Sequence, residues 1–207
     1  MWYTTPMRTP GRVAAIVVIT SALLGACSRS SSQPVAVARA APRNVAELEA
    51  RIVAKVPSGF VEQSPPAYGT GPSDLAKAIK DDGEPNAGKV LRSEKFVRGY
   101  QRIWIGPEHD QIIVFVYQFE VNGARQDFAR STRRFNSKPP PGGHKFAMPG
   151  LPPEQALGIA GSDKNAAAAI VYFTTGVFNV QVNCNGSRLA GLQARAIAIA
   201  QDQLRRL

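Results

Sequence analysis

Two cysteines, Cys27 and Cys184, and two histidines, His109 and His144, are the residues of this 207-residue chain that most readily do chemistry. Nucleophilic catalysis by Cys184 would need a thiolate with a histidine within hydrogen-bond reach, in a partly exposed and electropositive setting. The alternation Phe178, Val180, Val182, Cys184 instead puts this thiol on the apolar face of a strand, where cysteine packs as a small hydrophobe. Glu108-His109-Asp110 offers three metal-ligand types, but adjacent ligands on one turn do not close a tetrahedral site without distant partners. Asp81, Asp82 and Glu84 flank Gly83 at a predicted helix end and read as a solvated turn, since glycosidase chemistry needs two carboxyls facing each other across a cleft. No phosphate loop, dinucleotide fingerprint or Ser-His-Asp arrangement is present. No catalytic residue, metal or cofactor is therefore assigned.

A second set of residues could bind rather than react. Arg125, Arg130, Arg133 and Arg134 spread over one half of a predicted helix at 122–135, with Lys138 and Lys145 close in sequence. One reading is docking onto anionic lipid head groups or an acidic envelope partner, which near-surface Lys and Arg favour by about 1 kcal/mol each. The other is a solvated outer helix face.

These residues need a scaffold. Asn44 and Glu47 have capping-box spacing and open a helix near 44–55, with Val45, Leu48, Ile52 and Val56 inward. Short helices are predicted near 73–81 and after Pro85. The period then changes. Residues 97–106 alternate as a strand, 106–110 turn, and 112–119 are apolar on both faces, the mark of a central covered strand. Short strands near 144–148 and 155–160 precede a hairpin of 166–174 and 177–184 around Thr175-Gly176. Its second arm has one core face and one, Asn179, Gln181 and Asn183, toward water. Asn185-Gly186-Ser187 reads as a tight turn before a final helix from about Ser187, striped by Leu189, Leu192, Ala196, Ile199, Ala200, Gln203 and Leu207. The pattern predicts an α+β domain: an antiparallel sheet of about four to six strands with helices against one face and a C-terminal helix.

The N-terminus says where such a domain works. Arg8 and Arg12 precede an uncharged apolar stretch, Val13 to Leu24, and then Gly25-Ala26-Cys27, the layout of an export signal. The stretch is too short for a permanent membrane-spanning helix, which needs about 20 residues. Leu24-Gly25-Ala26-Cys27 resembles the lipobox of bacterial lipoprotein precursors. The resemblance implies diacylglyceryl transfer to the Cys27 thiol, cleavage between Ala26 and Cys27, and a lipid-anchored protein on the extracytoplasmic face of the cell membrane. An ordinary cleaved signal or an uncut apolar anchor are the alternatives, and without lipid Cys27 could pair with Cys184. Translation starts at Met1 or Met7. The expected organisation is a signal at 1–26, a Ser- and Pro-bearing tether at 27–43 and one domain at 44–207. Losing Arg8 and Arg12 lowers the formal charge from +10 to +8. An exported basic protein meets anionic lipids and acidic polymers rather than nucleic acid.

The Ala- and Arg-rich signal ending in Leu-Leu-Gly-Ala-Cys resembles lipoproteins of high-GC actinobacteria. The body is loosely similar to small actinobacterial envelope proteins through Val56-Pro-Ser-Gly-Phe60, Gly99-Tyr-Gln-Arg-Ile-Trp104, Phe115-Val-Tyr-Gln-Phe119 and Gln203-Leu-Arg-Arg-Leu207. That similarity implies no activity. The leading expectation is a lipid-anchored domain that binds a partner protein or an envelope component. A lipid or small-ligand carrier with an apolar cavity lined by Phe115, Phe119 and Phe178 comes second. An envelope enzyme, with His109 or His144 meeting Cys184 or a carboxylate, comes third.

Overall fold

The segment Ile112 to Phe119 needs cover on both faces, and the fold supplies it. A computed structural model describes residues 39–137, 142–164 and 166–207, in which Arg39–Leu207 form one compact unit. The signal, Cys27, Lys138 and the three prolines after it lie outside the described residues. In chain order the elements are α1 (Val45–Glu49), β1 (Val61–Glu62), β2 (Gly71–Ser73), α2 (Leu75–Asp82), α3 (Ala87–Ser93), β3 (Phe96–Ile105), β4 (Gln111–Phe119) and α4 (Gly123–Ser137). They continue with β5 (His144–Phe146), β6 (Ala156–Ser162), β7 (Ala167–Thr175), β8 (Phe178–Gly186) and α5 (Leu192–Arg206).

All eight strands join one antiparallel sheet in the order β1-β3-β4-β8-β7-β6-β5, with β2 also on β3. The sheet exceeds the four to six strands expected because β1 and β2 are only two or three residues long, too short to show alternation. Its topology decides where a site can form. After β4 the chain passes through α4 to the far edge of the sheet. It then walks back through β5, β6 and β7, so that β8 closes against β4. The crossover lays α4 over β4, β8 and β7.

One face carries the larger core. Tyr100, Trp104, Ile112, Val114, Val116, Val171, Phe173, Val180, Val182 and Cys184 pack there against Leu48, Ile52, Leu192, Ala196 and Ile199 of the α1 and α5 region. The opposite face carries a smaller cluster of Ala78, Leu91, Phe119 and Ala124, with Phe96 and Tyr117 against it. Helices therefore cover both faces, not one: the outward residues of β8 that alternation assigns to water lie under α4.

Local details follow from competing hydrogen bonds. The Asn44 side chain accepts from Glu47 N at 2.9 Å and starts α1. Helix α1 ends at Glu49 rather than near 55, because the next bonds are three-residue turns and Val53 N donates to Gln203 Oε1 at 2.8 Å. Helix α5 begins at Leu192, not Ser187, because Gly191 takes a φ of 81°, outside helical space. Residues 39–43, assigned to the tether by composition, engage the domain: Pro42 is buried and its carbonyl accepts from Gln118 Nε2 at 3.1 Å. Among the described residues no helix is long and apolar enough to cross a membrane.

Candidate functional site

Asp127 is the anchor of the site. It stands near the middle of α4 on the side facing the sheet and is 3% exposed. Burying a carboxylate is costly unless it is paired and hydrogen-bonded, and here both conditions are met. Tyr172 Oη donates to Asp127 Oδ2 at 2.9 Å, Asn179 Nδ2 donates to the same oxygen, and Arg130 Nη2 donates to Oδ1. Ser131 Oγ donates to Tyr172 Oη at 3.1 Å. Arg130 also reaches Glu94 Oε1 through Nε at 3.1 Å and Asp82 Oδ2 through Nη1 at 2.9 Å. This one guanidinium ties α4 to the ends of α2 and α3.

Two glycines bring these elements close. A Cβ on Gly123 would overlap the Glu94 carbonyl oxygen, so only glycine lets the first turn of α4 reach the end of α3. A Cβ on Gly99 would overlap the Tyr117 ring, which lies across β3 from its paired position on β4.

Electrostatics match the geometry. Burial first, with the Asp127 charge beside it, raises Glu94 from 4.5 to about 7 against the pull of Arg130. Burial likewise raises Asp127, opposed by Arg130, Tyr172 and Asn179. Burial and the Asp127 charge push the Tyr172 phenol up, and burial with Asp81 does the same to Tyr117. Burial would lower Arg130, but Asp127, Glu94 and Asp82 outweigh it and hold the cation firmly charged.

Between α4, the end of α2 and the sheet lies a cleft of about 360 Å³. Its floor is a grid set by strand register. On β8, Asn179, Gln181 and Asn183 point into it at alternate positions; Tyr117 and Phe115 of β4 pair with Asn179 and Gln181, and Tyr172 and Ile170 of β7 pair with Gln181 and Asn183. Asp81, Asp82, Ser131, Arg134 and Phe135 form its walls. Asn179 is 3% exposed, and its Oδ1 has no hydrogen-bond partner among the described residues.

The structure separates residues that the sequence groups together. Arg130 is occupied by three carboxylates, and Arg134 pairs with Glu84 at 3.1 Å and with Asp82 at 3.8 Å. Arg125 and Arg133 are exposed and have no carboxylate partner among the described residues. Lys145 Nζ donates to Asn136 Oδ1 at 2.5 Å. The turn at Asp81, Asp82 and Glu84 is solvated only in part: Asp81, though exposed, accepts from Lys77 at 2.6 Å and Tyr117 at 3.3 Å, and both aspartates line the cleft.

Cys184 is fully buried against α5, and burial pushes its thiol up to about 12. His144 Nε2 lies 3.3 Å from Gln193 Oε1. Glu108 and His109 both take positive φ, 53° and 63°, and border a second hollow between the β3–β4 turn and the end of β8. Asp110 pairs with Arg195 of α5 at 3.3 Å. Among the described residues no three His, Cys, Asp or Glu side chains cluster to hold a metal. Of the three phenylalanines expected to line an apolar cavity, only Phe115 reaches the cleft, while Phe119 and Phe178 are core.

Sequence reasoning missed Asp127, Tyr172 and Asn179. The signal was there in part: an aspartate three residues before Arg130 on α4, and amides at every second position of β8.

The architecture defines a class, an α+β domain whose antiparallel sheet is covered on both faces and opens into a cleft under its crossover helix. The chain is similar in fold to the extracellular domain of PknH from Mycobacterium tuberculosis, with a TM-score of 0.53 and 12% identity over 81% of this chain and 99% of that one. No protein-family model matches the chain, and no curated protein does.

Proposed function

We propose that this protein is a lipid-anchored, extracytoplasmic binding domain without catalytic activity, and that it takes its ligand in the cleft under α4. The observation that carries the reading is the floor of that cleft: Gln181 and Asn183 of β8 line open space beneath α4, beside Asn179, whose buried side-chain oxygen has no partner among the described residues. Buried polar groups in native domains are ordinarily satisfied, and a concave site with a few convergent polar groups is the usual form of a small-molecule site. The export signal and Cys27 support attachment to the outer leaflet side. The fold likeness to a domain that is itself extracellular agrees with it.

Carboxylates, amides and a guanidinium border the space beside Phe115, Phe135 and Ile170, which suits a ligand with both polar and apolar surface better than an acyl chain. Attachment rests on two acyl chains at Cys27, which hold a protein at a bilayer where one does not. Arg125 and Arg133 add attraction to anionic head groups.

The test is native mass spectrometry of the protein extracted from membranes, with the N-terminal peptide sequenced from the same sample. A diacylglyceryl group on an N-terminal Cys27 and a small molecule retained by the domain are the expected results. An unmodified Cys27 would overturn the anchor, and a domain that retains nothing from its own membrane would overturn the cleft assignment.

A further inference from the structure

We infer that the cleft recognises an uncharged saccharide of one or two rings. This inference rests on the proposed binding role of the cleft and adds the chemical class of its ligand.

Charge is the first ground. Each ionic group bordering the cleft already has an internal counter-ion. Asp81 is held by Lys77 at 2.6 Å, Asp82 by Arg130 at 2.9 Å, Asp127 by Arg130, and Arg134 by Glu84 at 3.1 Å. A charged ligand would have to break one of these pairs, leaving a half-buried ion uncompensated. Among the described residues no ionic side chain bordering the cleft is left without a partner for a charged ligand to take.

The second ground is the floor. Gln181 Nε2 donates to Asn183 Oδ1 at 2.9 Å, which leaves Gln181 Oε1 as an acceptor and Asn183 Nδ2 as a donor for a ligand. The amides follow one another along β8 at two-residue steps of about 7 Å and leave both an acceptor and a donor. A ring bearing several hydroxyls, each both donor and acceptor, satisfies such a row.

The third ground is the flanking surface. Phe115 and Tyr117 stand on one side of the amide row and Tyr172 on the other, placed there by register. Aromatic rings offer faces to the C–H side of a sugar ring while amides take its hydroxyl edge. The volume of about 360 Å³ is at the small end of small-molecule sites, too little for a longer chain of rings.

Isothermal titration of the full lipidated protein, in a detergent without a sugar head group, tests the inference. The probes are cellobiose, maltose and mannobiose, with spermidine and glucose 6-phosphate as charged controls. At least one disaccharide should give saturable heat that weakens tenfold or more in both Gln181→Ala and Asn183→Ala, with thermal melting of both variants unchanged. Neither charged control should bind.

Three results would overturn it. No saturable heat from any disaccharide removes the saccharide. Binding of spermidine or glucose 6-phosphate that the same variants abolish also removes it, yet leaves the cleft as the binding site. Disaccharide binding that neither variant alters removes the saccharide and the cleft together.

Discussion

Arg130 Nη1 donates to Asp82 Oδ2 across 2.9 Å, joining the middle of α4 to the last residue of α2 at the rim of the cleft. The same side chain meets Glu94 and Asp127, so one cation offsets three carboxylates that are each 11% exposed or less at the side chain. Removing one partner of a buried ion cluster costs more than the cluster contributes, because the remaining charges stay buried. Arg130→Ala should lower stability by about 3–5 kcal/mol in urea unfolding. Arg133→Ala, on the exposed side of the same helix, should stay within about 0.5 kcal/mol. Equal effects would mean that Arg130 is a surface residue in solution.

Stability should depend on pH through Glu94. Its folded value is raised from 4.5 to about 7, chiefly by burial. The folded state then holds this proton more tightly than the unfolded chain does. The resulting stability is fully present below about pH 4.5 and is lost as pH rises through about 7. Other carboxylates titrate too, so the difference between wild type and Glu94→Gln isolates the site. The variant should gain on wild type by on the order of 2–3 kcal/mol between ~pH 4.5 and ~pH 8. A difference that does not change with pH would contradict the burial of Glu94.

Gln203 fastens the N-terminal segment to the last helix. It is fully buried; its Oε1 accepts from Val53 N at 2.8 Å and its Nε2 donates to Arg51 O at 3.1 Å. Gln203→Leu keeps the volume but strands a backbone donor and an acceptor, which should cost about 1–3 kcal/mol. Hydrogen exchange should show the Val53 amide losing protection selectively. Unchanged exchange there would mean that the contact is not formed.

The Cys184 thiol should be inert in the native protein. It is fully buried, and burial pushes its ionisation up to about 12. A disulfide reagent should label it only in denaturant, at a rate set by unfolding. Labelling under native conditions at the rate of a free thiol would place it in an accessible site.

Much of the fold was legible because its cues are periodic. The two-sided apolar run of β4, the hairpin of β7 and β8 and the stripe of α5 all show in the sequence. Strands β1 and β2 did not, since two or three residues cannot display a period of two. The site was harder to see for a different reason. Asn179, Gln181 and Asn183 look like a water-facing strand edge until the crossover through α4 covers them, and that cover depends on topology rather than on local pattern. The arginines of α4 misled in the same way. Arg125 and Arg130 differ little in sequence context, yet the first is exposed and the second is enclosed by carboxylates from α2, α3 and α4.

The gap under α4 is a binding site only if a ligand occupies it. Native mass spectrometry of the wild-type protein and of Asn183→Trp, both extracted from membranes in the same detergent, measures this most directly. The indole would fill the floor of the cleft without touching the ion cluster behind it. A retained small molecule is expected on the wild type and is missing from a folded Asn183→Trp. A molecule carried equally by both proteins, or by neither, would contradict a binding site there.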